Sequence, residues 1–178
     1  MPLVVLVLIT AVAGGVAIRL RYGQPTDAPA QPAPTPTRAQ EQPGSSRVVL
    51  SEGAAEHPDH GAVRILLQTY FDSVNVTRYD RWKTTVVPAK QRQQPKDQWL
   101  ENYQSTSDGS IRIHRITGGP DDSLRVLLSF TSVQDPSDAP STMRVGCLRW
   151  RTVYPIVRYS GGLRLGVGHP GNALFRPC

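Results

Sequence analysis

The sequence predicts an α+β domain in which three helices precede about four antiparallel strands and cover one face of a curved sheet. Three observations carry this. Apolar residues recur at helical spacing from His60 to Val74. Their period changes to two from Ser110 onward. Clusters of Gly, Pro, Asp and Ser punctuate the alternating runs.

Before the domain come two segments of different character. Residues 1–21 read as a hydrophobic membrane anchor or signal segment, since Pro2 to Ile18 carry no charge. A spanning helix needs about 20 apolar residues, so this run barely suffices, and Gly14-Gly15 weakens it as a helix. Thr10-Ala11-Val12-Ala13-Gly14 also offers a cleavage site after Ala13. Residues 22–50 read as a Pro/Ala-rich disordered stalk, whose prolines oppose regular hydrogen bonding and whose apolar content is too low to offset ordering. Residues 51–178 are the domain, a length that suits one core.

Within the domain, Asp59 is the expected N-cap of the first helix. Val63, Leu66, Leu67, Tyr70, Phe71 and Val74 form its buried stripe. Asn75-Val76-Thr77 breaks that pattern; it also matches a glycosylation sequon, which a helix-ending turn explains without a sugar. Thr77 is then the expected cap of a short second helix carrying Tyr79, Trp82 and Val86, ended by Pro88. A polar loop from Lys90 to Gln94 leads to a third helix that starts at Pro95 and presents Trp99, Leu100 and Tyr103. Ser105 to Gly109 closes it.

Ile111 and Ile113 alternate with Arg112 and His114 on the first strand, and Gly118 to Asp122 forms a turn. Leu124, Val126, Leu128 and Phe130 line one face of the next strand. Gln134 to Ser141 is a loop. Arg144 to Tyr159 is a long strand with Leu148, Trp150, Thr152, Tyr154 and Ile156 on one face. Ser160-Gly161-Gly162 turns the chain into a last strand ending near Val167. Residues 168–178 show little periodicity.

Three stretches, YFDSVNVTRYDRWKTTVVP, WLENYQSTSDGSIRIHRI and LLSFTSVQDP leading to CLRWRTVYPIVRYSGGLRLG, resemble the nuclear transport factor 2-like (SnoaL-like) superfamily. More narrowly, they resemble small membrane-anchored extracytoplasmic domains of high-GC Gram-positive bacteria. The resemblance spans about Asp59 to Val167. It implies a cone: a first helix ending at an Asn, a short helix with a Tyr and a Trp, and long bent strands around a pocket. Its motifs are structural, so it speaks to fold more than to activity.

No nucleophile set, phosphate loop or zinc spacing can be assembled from the residues, so no catalytic residue, metal ligand or cofactor is expected. His57 and His60 flank a helix start and read as solvated. The pocket candidates are His114, Tyr70, Trp99, Tyr103, Trp150 and Tyr154, although such aromatics more often form the core between helices and sheet. Enzymes of the resembled superfamily use His/Asp pairs inside the cone, and His114 with Asp72 is the conceivable pair here. Cys147 and Cys178 read as a bridge that pins the tail to the sheet, provided the compartment is oxidising; in a reducing cytosol both are thiols.

The chain carries 20 Lys and Arg against 14 Asp and Glu, a net +6. The basic residues are scattered in sequence, with no dense run, so no nucleic-acid partner is expected unless the arginines gather on one face. Arg19 and Arg21, lying after the apolar run, favour a cytoplasmic domain by the positive-inside rule. The stalk and the cysteine pair favour the opposite side. The expectation is a single-pass cell-membrane protein with its domain on the extracytoplasmic side, or a secreted one after cleavage. Its domain is expected to bind a partner protein or small ligand without catalysis, and the resemblance allows a place in an envelope or conjugation assembly. The alternative is a SnoaL-like cyclase or isomerase with a His/Asp base.

Overall fold

The computed structural model describes residues 42–169 and 171–178. Residues 1–21 and most of 22–50 therefore lie outside the described part. No helix among the described residues is long and apolar enough to cross a membrane.

Among the described residues the element order is β1 (Val49–Leu50), α1 (Glu52–Ala55), α2 (His60–Asn75), α3 (Tyr79–Lys83), α4 (Pro88–Gln93), α5 (Lys96–Tyr103), β2 (Ser107–Gly118), β3 (Leu124–Val133), β4 (Cys147–Tyr159), β5 (Gly162–Leu165) and β6 (Ala173–Pro177). The fold is α+β, but the expected three N-terminal helices and four strands are corrected to five helices and six strands. The helices are also not simply N-terminal, because β1 precedes them and pairs parallel with β2, Val49 opposite Arg112.

Each difference has a local cause. Ser51 accepts a hydrogen bond from the Ala54 N–H (3.3 Å) and so caps the unforeseen α1. Pro88 does not stop a helix; it stands at the first position of α4, where its missing N–H matters least. The expected loop from Lys90 is thus largely helical. Val86 leaves α3 altogether and bridges to Leu165. Asp59 occupies the cap position of α2, but its side chain makes no cap bond. Its carboxylate instead meets Arg158 at 3.4 Å. The aperiodic tail contains β6, whose residues pair with β4 from Leu148–Pro177 to Thr152–Ala173.

Sheet order is β1-β2-β3-β4-β5, with β6 also paired to β4, and every long pairing is antiparallel. The N-terminal half of β4 has β6 as its outer neighbour, and the C-terminal half has β5. At the end of the expected stalk, Val49–Leu50 belong to this sheet and the residues just before them are hydrogen-bonded to the domain. Ser110 N–H donates to the Ser45 carbonyl (2.8 Å), and Val48 N–H donates to Gln68 Oε1 on α2 (2.8 Å). Gly109 permits the crossing: a Cβ there would lie 2.5 Å from the carbonyl oxygens of both Pro43 and Gly44.

The core lies between the helices and one sheet face. Val63, Leu67, Phe71 and Val74 of α2 meet Ile111, Ile113, Val126, Leu128 and Ile156 of the strands, all fully buried. Burying that many large apolar side chains is the main stabilising contribution. Trp82 and Trp99 complete the core, with ring centroids 5.5 Å apart.

Candidate functional site

Toward the β6 end of the sheet, the space between helices and strands is not filled. A cavity of about 380 Å³ remains, walled by Tyr70 of α2, Tyr103 of α5, Phe130 and Ser132 of β3, and Trp150, Thr152 and Tyr154 of β4. The inner residues of β3 and β4 reach it because direct antiparallel partners share a face, Phe130 opposite Trp150 and Ser132 opposite Leu148. Four of the expected pocket residues, Tyr70, Tyr103, Trp150 and Tyr154, are therefore brought together.

The other two are not. Trp99 is fully buried behind Tyr103, ring centroids 5.1 Å apart, and belongs to the core. His114 lies at an irregularity in the β2–β3 register and its ring faces away from the cavity, where Nε2 is 2.7 Å from Ser129 Oγ. Partial burial and the nearby Arg151 and Arg112 guanidinium groups hold its pKa down. Asp72 is engaged with Gln68 Nε2 (2.9 Å). The conceivable His114/Asp72 pair is not formed.

Two acids line the cavity, the half-buried Asp138 and the deeply buried Asp108. Asp108 is almost wholly buried, and Ser132 Oγ donates to its Oδ1. Burial pushes its carboxyl up to about 6, while the Ser132 hydrogen bond opposes that rise by favouring the charged form. Asn75, the last residue of α2, fixes its backbone through Asp108 N–H to Oδ1 (2.6 Å) and Nδ2 to the Asp108 carbonyl (2.9 Å). The tyrosines are held neutral. Burial raises the pKa of Tyr70, Tyr154 and Tyr103, and the charge on Asp108 raises all three further.

Trp150 stacks on Phe130 (centroids 5.9 Å, planes 9° apart) and meets Phe175 of β6 at 4.7 Å. Its indole N–H is buried without a partner among the described residues. A buried carboxyl and an unused donor in a chamber walled largely by aromatic rings can orient a small ligand, with Gln94, Asn102, Gln134 and Asp138 adding polar groups to its wall. Among the described residues no cluster of three or more His, Cys, Asp or Glu could hold a metal.

The far wall is covalently held. Cys147 at the start of β4 and Cys178 after β6 form a disulfide, Cα atoms 5.5 Å apart. The expected clamp is present, though it pins a strand and not an irregular tail.

Comparison of the chain with protein-family models and with curated proteins finds no match in either. The site must be read from its own geometry. Asp108 and Ser132 were not singled out from sequence, since Ser107-Asp108-Gly109 has the composition of a turn.

Proposed function

We propose that the chain is a membrane-tethered extracytoplasmic domain that binds a small, largely apolar ligand in the cavity between α2, α5 and the sheet. The observation that carries the reading is the aromatic cavity with one buried carboxyl, Asp108, at its wall. Aromatic rings supply apolar contact area, and Asp108 and the Trp150 N–H supply orientation. The tether rests on the uncharged run from Pro2 to Ile18 and the proline-rich segment after it. The bridge between Cys147 and Cys178 supports an oxidising location. The likeness to nuclear transport factor 2-like domains is supported by the first long helix ending at Asn75.

A second reading is favoured by one observation. A carboxyl raised to about 6 at the wall of a cavity has the properties of a general base, so proton abstraction of the cyclase or isomerase type would run through Asp108 and not His114.

The test is a titration with 1-naphthol, followed through Trp150 fluorescence in the wild-type chain and in Thr152→Phe, which fills the cavity from a buried position. Saturable quenching that disappears in Thr152→Phe, with an unchanged circular dichroism spectrum, supports the ligand site. Equal quenching in both would refute it.

A further inference from the structure

The opposite face of the sheet has a different chemistry. Register places Arg112 and Arg115 of β2, Arg125 of β3, Arg149 and Arg151 of β4 and Arg176 of β6 on the side away from the helices. All six are exposed. No Asp or Glu shares that face among the described residues. The ion pairs of the described residues, Lys83–Asp80, Arg158–Asp59 and Arg158–Asp122, involve none of the six.

Arg149 and Arg176 are direct cross-strand partners, a like-charge arrangement that weakens a strand pair. Ser129 and Thr131 supply hydroxyls between the arginines, and a concavity of about 740 Å³ is lined by His114, Ser129, Thr131, Arg149, Arg151 and Arg176. Leu174, opposite Arg151 on β6, stands 70% exposed beside it.

A structure that places like charges together, without carboxylates, has a site for an external anion. The guanidinium geometry suits phosphate oxygens. The arginines do gather on one face, and Phe130, Trp150 and Phe175 also reach the concavity, but these rings pack on one another, Trp150 against Phe130 and against Phe175, which leaves no open ring face for a base. A soluble phosphate would leave the exposed Leu174 without a role. A lipid surface uses both features, with headgroup phosphates among the arginines and an apolar side chain in the interfacial layer.

We propose that the arginine face of the sheet docks on anionic phospholipid headgroups, with the concavity around Arg149, Arg151 and Arg176 receiving the phosphate. This is separate from the cavity at Asp108 and independent of whether residues 1–21 anchor the chain.

The experiment is hydrogen exchange on the full chain mixed with phosphatidylcholine vesicles, with and without phosphatidylglycerol. Any attachment through the apolar head is common to both samples, so only their difference counts. Phosphatidylglycerol is expected to slow exchange at Leu174 to Arg176 by about tenfold. Arg149→Gln/Arg176→Gln should abolish that difference, whereas Arg78→Gln/Arg81→Gln, with the same net charge, should keep it. Leu174→Ser, an exposed change that leaves the fold intact, should reduce it.

No difference between the two vesicles in the wild-type chain overturns the proposal. So does an equal loss in the Arg78/Arg81 control, since that would be a net-charge effect. Protection by soluble pyrophosphate without any by phosphatidylglycerol overturns the lipid as occupant. Protection by a single-stranded oligonucleotide but not by vesicles does the same in favour of nucleic acid.

Discussion

The side chain of Asn75 hydrogen-bonds both backbone groups of Asp108, accepting from its N–H at 2.6 Å and donating to its carbonyl at 2.9 Å. The amide thereby imitates a strand partner for one residue, at the point where α2 meets the start of β2. It holds the carboxyl of Asp108 against Ser132 from across 33 residues of chain.

Replacement of Asn75 should therefore loosen the cavity without emptying the core. Asn75→Ala removes both bonds and leaves two part-buried backbone groups unpaired, a destabilisation of about 1–3 kcal/mol. Asn75→Asp keeps the acceptor but sets a carboxylate against the Asp108 carbonyl, so it should be worse than Ala above its own pKa. Chemical denaturation of the three proteins at pH 7 checks the order.

Asp108 makes stability depend on pH in an unusual direction. Its folded pKa of about 6 lies above the unfolded value, so the native state binds more protons between pH 4 and 6. Stability from this group is complete below pH 4, falls as pH rises through 6, and is level above that. A shift of this size corresponds to about 3 kcal/mol. Asp108→Asn should flatten the slope between pH 4 and 6, as measured by denaturation midpoints. An unaltered slope would place the titrating group elsewhere.

Reduction of the Cys147–Cys178 bridge should act locally first. In the chain-entropy view it contributes about 3–4 kcal/mol for a loop of this length. Since β6 is short and meets no fully buried core residue except Leu148, its amides should lose protection on reduction while those of β3 keep theirs. Hydrogen exchange with and without reductant resolves the two strands.

Among the tryptophans, Trp99→Ala should be the most damaging, by about 3–5 kcal/mol, because Trp99 is fully enclosed by Trp82, Tyr79 and Tyr103. Trp150→Phe should be mild, since Trp150 is only partly buried and borders open space. Thermal melts of the two variants test the contrast.

Elements with a strong internal period were legible from the residues alone. The stripe of α2 and the inner rows of β3 and β4 follow from spacing, because each buries a whole face. α4 was not legible: Pro88 looks like a stop when its neighbours are unknown, and like a start once Val87 is seen extended before it. β6 was not legible either, for its residues are mostly exposed and its only definition is its partner. The aromatic half of the cavity could be read because large side chains announce burial. Asp108 could not, since its meaning lies in Asn75 and Ser132, which sequence separates from it by 33 and 24 residues.

The division of β4 between two outer neighbours has a consequence for access. β5 is knitted to the helices, through Leu165 to Val86 and through backbone bonds of Leu165 with Thr85 and Val87. Among the described residues β6 has no such hold; Ala173 borders the same chamber that Trp150 faces, and Phe175 packs on Trp150. One flank of the strand is thus tied to the rest of the domain, and the other is held by its pairing with β4 and one covalent bond. Reduction that loosened β6 would open the Ala173 side of the chamber while the rest of the domain stays assembled.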